Sequence, residues 1–316
     1  MHRIKWIDVA KGWGIILLIY GHIADDYFAK WLYTFHIPLF FFLSGFLFNP
    51  NKSFSHLIWS KAKSLLLPYL TLGIPLLLIN LLYGYKLLYL LKLFIIQERM
   101  FPLWFITALF LQIILCYIII CKVKKKWRII TIFFLSLIGI GYWRLGGTAL
   151  PWNFDISLVT LPFFYGGYYI KSNYHFLENV LEGGKTKYFL LCAGANLFGF
   201  IINLHLHYQN IDLFTNNFGF EPLSYFTAFW GIFATIVFSS SIHSKILSFI
   251  GRNSLVFFAW QQDIAIILAN KLLSQFSFVI KTTYIKNIII LVISIIILSI
   301  IVEIINRTRL RRLIGK

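Results

Sequence analysis

In the apolar stretch VAKGWGIILLIYGHIADD, Val9 to Asp26, ionisable side chains stand where a membrane would accept almost none. Lys11 lies near one end, His22 deep inside, and Asp25 with Asp26 just beyond. Each helical residue advances the chain by about 100°, so two positions eleven residues apart fall within ~20° of one another. Lys11 and His22 therefore share a face, with Asp8, Ile15 and Leu18 on the same stripe. At a rise of 1.5 Å per residue they are roughly 16 Å apart along the axis. Asp25 and Asp26 follow His22 at the i+3 and i+4 spacings that permit side-chain contact. Imidazole titrates near neutral pH and accepts a hydroxyl proton, a lysine holds an anion, and a carboxylate can orient an imidazole. One helix face thus offers a cation at its rim and a base at depth. The structural alternative has Lys11 snorkelling to lipid headgroups and His22 hydrogen-bonded between helices. Ionisable groups inside a membrane are costly and mark functional pathways, which favours the chemical reading.

Other polar residues are read against the same background. His36 precedes Pro38 near the outer end of the next apolar run. If the first two helices form a hairpin it is a second acid/base or acceptor-binding group; otherwise it is an interfacial histidine at a helix end. Ser44 has no base in its vicinity and, beside Gly45, reads as a helix contact rather than a nucleophile. Gln261, Gln262 and Asp263 lie within a late apolar run and should face the bundle interior. His205, His207, Asp212 and Glu221 share an outer loop, but histidines at i and i+2 of a helix point apart, so no metal site is expected. Cys116, Cys121 and Cys192 lack paired spacing and read as packing residues. Glu303 and Arg307, at i and i+4, suit a structural ion pair.

These residues must be carried by membrane helices. The 316-residue chain is 59% hydrophobic and 13% charged, with a mean hydropathy of +0.78, too apolar for a soluble domain to cover. Its formal charge of +18 invites nucleic acid, but the basic residues fall in short clusters between apolar runs, which excludes that partner. Runs near the ~20 residues that cross ~30 Å of hydrocarbon occur at 7–24, 31–48, 64–85, 102–121, 129–143, 155–170, 187–204, 223–240, 253–270 and 286–304. Lys86 to Phe101, KLLYLLKLFIIQERMF, is too charged to span and reads as an interfacial amphipathic segment. With the amino terminus in the cytoplasm, 21 of the 29 Lys and Arg residues fall on the inner side, among them KVKKKWR at 122–128 and the tail RTRLRRLIGK. The outer segment His205 to Pro222 holds no Lys or Arg, as the positive-inside rule requires. Arg3 and Lys5 open the chain as in a signal peptide, but no small-residue cleavage site follows, so the first span is expected to be retained. The expected architecture is an all-α polytopic membrane bundle of about ten transmembrane helices. It forms one membrane-embedded domain over 1–316, multi-pass in the plasma (inner) membrane, with both termini cytoplasmic.

Two blocks carry a family resemblance. In DVAKGWGIILLIYGH an acidic residue, a basic residue and glycine precede a histidine, with ten residues between Lys11 and His22. In TFHIPLFFFLSGFLF, Thr34 to Phe48, an aromatic Phe-Phe-x-x-Ser-Gly pattern falls on Phe41, Phe42, Ser44 and Gly45. Together they resemble the acyltransferase-3 family of integral membrane O-acyltransferases, in its fucose O-acetylase-like branch. Weaker echoes are KAKSLLLPY at Lys61 to Tyr69, PLWFITALF at Pro102 to Phe110, LPFFYGGYYI at Leu161 to Ile170 and IGRNSLVFF at Ile250 to Phe258. The chain departs from the pattern at Lys11, where the family usually has an arginine with its bidentate geometry. Lys61 and Lys63 stand near the place of an arginine pair, and Trp260, Gln261 and Gln262 where some members have another histidine.

The resemblance implies transfer of an acyl group, most often acetyl from acetyl-CoA, to a sugar hydroxyl of a surface polysaccharide or lipid-linked glycan. Such transfer needs a base, cations for the CoA phosphates and dipoles for the tetrahedral oxyanion. On this reading His22 is the general base, Asp25 or Asp26 orients it, and His36 is a second acid/base group. Lys11, Lys61 and Lys63 meet the donor; Trp104, Arg144 and Gln262 meet the acceptor. Acetyl-CoA is a co-substrate, no bound cofactor is expected, and the partners are acyl-CoA, the glycan or lipid-linked sugar, and membrane lipid. A transporter or flippase of a lipid-linked glycan also needs polar helix faces, and it is disfavoured by the lack of inverted-repeat symmetry.

Overall fold

The computed structural model describes residues 4–206, 211–275, 282–312 and 314, so His207 lies outside the described residues. Those residues are helical, with one isolated bridge between Asp212 and Asn217 and no sheet among them. The chain opens with α1 (Lys5–Ile23), α2 (Tyr27–Tyr33) and α3 (His36–Phe46). Next, α4 (Phe54–Lys61) passes through a π-helical turn, Ala62–Leu66, into α5 (Leu67–Leu82), and α6 (Leu87–Ile96) follows. Then come α7 (Trp104–Lys122), α8 (Arg128–Arg144), α9 (Phe154–Val159), α10 (Leu161–Ser172) and α11 (Tyr174–Glu182). The chain continues with α12 (Lys185–His205), α13 (Glu221–Ser241) and α14 (Lys245–Arg252). Last, α15 (Ser254–Trp260) leads through a second π turn, Gln261–Ile266, to α16 (Ile267–Gln275), and α17 (Thr283–Arg307) completes the order.

The protein is an all-helical membrane protein. Among the described residues six helical segments are long and apolar enough to cross a bilayer: Phe54–Leu82, Trp104–Lys122, Lys125–Arg144, Lys185–His205, Glu221–Ser241 and Thr283–Arg307. The other expected runs correspond to α1, whose Asp8 and Lys11 lower its hydropathy, and to pairs of shorter helices, α2 with α3, α9 with α10, and α15 with α16. The breaks have local causes. Ala24 is extended (φ −105°, ψ 145°) and stops α1. Asp26 then caps α2, its Oδ1 accepting the Ala29 N–H at 2.7 Å. In α10, Pro162 sits in the first turn, where its missing N–H costs nothing. The expected run at 64–85 begins earlier, because FSHLIWSK is already helical from Phe54; Lys61 and Lys63 are on a helix and not in a loop.

Two compact units are formed: Met1–Leu43 with Tyr169–Glu303, and Ser44–Tyr168 with Ile304–Lys316. In the first, α1 crosses α14 with their backbones in contact. A Cβ at Gly12 would collide with the Leu247 carbonyl oxygen, and one at Gly251 with the Asp8 carbonyl oxygen. The approach is possible only because neither position has a side chain. Beside it, buried Asn196 accepts the Trp31 Nε1–H and donates to Thr227 O at 2.7 Å, joining α2, α12 and α13. Phe42 meets the edges of Phe229 and Phe233.

The second unit is organised by a buried carboxylate. Asp155 accepts from Arg99, from Trp143 Nε1–H at 2.8 Å and from the Leu150 N–H at 3.2 Å. Asn153 donates to Gln97 O at 3.0 Å and to Thr107 Oγ1 at 3.1 Å. These bonds hold the segment after α6 in a left-handed conformation at Gln97, Arg99 and Phe101 (φ 54°, 56° and 55°). Arg99, which composition alone would place at an interface, is thus a core residue.

Two substitutions test this packing. Gly12→Leu should lower the thermal unfolding midpoint in detergent by several degrees, since forced overpacking costs about 1–3 kcal/mol; an unchanged midpoint contradicts the crossing. Asp155→Asn removes the counter-charge of a buried guanidinium and should cost about 3–5 kcal/mol, read as loss of monodisperse protein on size exclusion.

Candidate functional site

The sequence-predicted base lies in the last turn of α1. His22 is exposed, although Leu18, Ile19, Tyr20, Gly21 and Ala24 around it are buried. Tyr33, the last residue of α2, brings its hydroxyl to 3.3 Å from His22 Nδ1, a long hydrogen bond. The two rings meet edge to face with centroids 6.0 Å apart. His36, at the start of α3, packs on the same tyrosine at 4.8 Å and 89°. The turn from α1 through α2 to α3 therefore sets His22, Tyr33 and His36 in series.

The hydrogen bonds constrain the protons. His36 Nδ1 lies 2.8 Å from Leu32 O. A carbonyl only accepts, so Nδ1 carries the hydrogen and Nε2 of the neutral ring holds the lone pair. His36 is 1% exposed, which suits holding Tyr33 better than meeting a substrate. At His22 two arrangements are open: the tyrosine hydroxyl donates to Nδ1, or Nδ1–H donates to the tyrosine oxygen. Only the second leaves Nε2 free to take a proton in the neutral ring.

Beside Tyr33 is a cavity of about 290 Å³, lined also by Gly21, Asp25, Lys30 and Asp212. Asp25 lies 4.0 Å from the Lys30 ammonium. Asp212 belongs to the loop between α12 and α13, where its Oδ1 accepts the Phe214 N–H at 2.9 Å. Two carboxylates, an ammonium and a phenol around so small a space suit a ligand rich in hydroxyl groups.

Comparison with known proteins identifies the chemistry at a coarse level. Residues 4–304 match the family model described as an acyltransferase domain, that of acyltransferase-3. The chain belongs to the acyltransferase-3 family. Searches of curated proteins and of solved structures gave no match. The match runs through both compact units and makes the protein a membrane acyltransferase, which requires an acyl donor and an acceptor.

Within this acyltransferase the expected site residues fare differently. Lys11 and His22 lie on one unbroken helix, so the shared face exists. The expected contact from Asp25 or Asp26 to His22 is absent among the described residues. That spacing assumes a helix continuing past His22, whereas α1 stops at Ile23. Asp26 instead caps α2 and accepts the Tyr20 hydroxyl at 2.8 Å, and Asp25 faces Lys30. The group at His22 is Tyr33, eleven residues on and legible only once the turn is known. Lys61 and Lys63 belong to the second unit, where the Lys63 ammonium lies 5.0 Å from the centre of the Trp59 ring. Trp104 is buried in that unit, and its carbonyl accepts Thr107 Oγ1–H at 3.0 Å, whereas Arg144 is exposed at the end of α8. Gln262 does not face the interior. The π turn there exposes it and buries Gln261, whose amide atoms have no hydrogen-bond partner. Ser44 adjoins Gly45, which approaches the Phe164 carbonyl of α10 too closely for any side chain, in keeping with a helix contact.

Tyr33→Phe should lower acyl-transfer turnover about tenfold, the value of one hydrogen bond of roughly 1.5 kcal/mol to a group that becomes charged. The Michaelis constant for the donor should stay within twofold. Steady-state kinetics on the purified variant measures both, and full turnover would remove Tyr33 from the site.

Proposed function

We propose that this protein transfers acetyl from acetyl-CoA to a sugar hydroxyl of a surface polysaccharide or lipid-linked glycan, with His22 as general base. The observation that carries the reading is an accessible imidazole in a buried helix end, held at Nδ1 by Tyr33 beside a small cavity with two carboxylates. Asp25, paired with the Lys30 ammonium, and Asp212 accept hydrogen bonds from acceptor hydroxyls. Among the residues singled out at the sequence level, Lys11, on the same helix and in the same unit as His22, serves the donor.

In the reaction the acceptor oxygen attacks the thioester carbonyl while its proton passes to His22 Nε2. The imidazolium is stabilised through Nδ1–H by the Tyr33 oxygen. The tetrahedral intermediate collapses, the C–S bond breaks, and the thiolate takes the proton back from Nε2. The products are a sugar ester and free CoA, with His22 neutral again. The site lies in the plasma (inner) membrane, with donor arriving from the cytoplasm and acceptor from the outer side. The resemblance to fucose O-acetylases supports a sugar acceptor over a protein one.

Mass spectrometry of surface glycans from cells with and without this chain tests the assignment. Loss of one acetyl increment per repeat is the expected result. Loss of whole glycan chains would overturn it in favour of export, and unchanged glycans would overturn it altogether.

A further inference from the structure

A second cavity, of about 1020 Å³, lies at the other end of α1 within the first unit. Lys5, Lys185, Lys245 and Arg252 line it together with one carboxylate, Asp8, and with His243. The four cations come from three segments far apart in sequence: the amino terminus, the start of α12, and α14. With a cytoplasmic amino terminus, the alternation of the expected spans puts all three on the inner side.

Simple topology accounts for basic residues on that side but not for their arrangement here. Two basic side chains elsewhere lie against aromatic rings instead, Lys63 on Trp59 and Lys126 on Trp127. Here they converge on a concavity. The Lys185 ammonium is tethered to Ser240 O at 3.2 Å, which leaves further donors on the same nitrogen. Ser239, 1% exposed, lines the cavity with a hydroxyl that has no hydrogen-bond partner. An orphaned buried hydroxyl is costly, and a ligand oxygen would satisfy it. Ser244 caps α14 at the wall, its Oγ accepting the Leu247 N–H at 3.2 Å, so the positive end of that helix borders the space. The glycine crossing of α1 and α14 brings Asp8 and Arg252 to one wall.

We propose that this cavity binds phosphate groups, as phosphomonoester or diphosphate, through Lys185, Lys245 and Arg252. Two sources fit that chemistry, the nucleotide end of an acyl-CoA and the headgroup of an acidic phospholipid. The first rests on the acetyl-CoA reading; the phosphate site itself does not. Asp8 and His22 are about 21 Å apart along α1, a span of the order that the extended arm between the phosphates and the thioester of an acyl-CoA covers.

The test uses the full chain in phosphatidylcholine nanodiscs, titrated with adenosine 3′,5′-bisphosphate. Saturable binding that weakens with salt, and at least tenfold in Lys245→Gln/Arg252→Gln, supports the nucleotide source. If the bisphosphate does not bind, but phosphatidylglycerol copurifies with wild type and is lost from the double variant, the lipid supplies the phosphate. Neither nucleotide nor lipid dependence on these residues overturns the proposal. An unchanged thermal midpoint shows that the double variant is folded, and Lys185→Gln carries the same test if it is not. Because binding is read without turnover, a protein that binds the bisphosphate yet transfers no acetyl would fail the proposed function and keep this site.

Discussion

The first compact unit depends on the backbone contact between α1 and α14. Gly12 and Gly251 let two helices approach until carbonyl oxygens fill the space where side chains would be. Dispersion and close packing replace the hydrophobic drive that helices lack in lipid. Once α1 is fixed there, its carboxyl-terminal end is fixed too, because Lys5–Ile23 is unbroken. His22 then meets whatever the following turn presents, and the Asp26 cap decides that it is Tyr33.

A chemical economy follows from that turn. Asp26 looks like the carboxylate partner of a histidine, yet its two oxygens are used by the α2 amide and the Tyr20 hydroxyl. Leaving the imidazole beside a phenol keeps a second full charge away from the ring. Neutral His22 is the form that accepts a proton, and a phenol oxygen can hold Nδ1–H without creating a buried ion pair. His36, with its own Nδ1–H tied to Leu32 O, packs against the ring of the same tyrosine.

Much of this was legible in the sequence because helical periodicity is local. The all-helical class, the Lys11 and His22 face and several long spans follow from spacing and hydropathy, while the family follows from the resemblance carried by two motif blocks. What was not legible depends on departures from that periodicity or on distant contacts. The extended Ala24 broke the track from His22 to Asp25. At the π turn Gln261–Ile266, Gln261 is buried as expected but Gln262 is turned outward. Arg99 and Asp155 are 56 residues apart, so an apparently interfacial arginine became a core group. The basic cavity, too, is invisible to a charge tally, which assigns Lys185 and Arg252 to one side without showing that they converge.

The central claim is that the His22 imidazole takes the proton from the acceptor hydroxyl. The most direct measurement is transfer of labelled acetyl from acetyl-CoA to isolated glycan by purified His22→Ala protein with a wild-type thermal midpoint. Loss of a positioned base costs about 10²–10⁴-fold, so transfer should fall to background. Wild-type turnover in that variant would contradict the account.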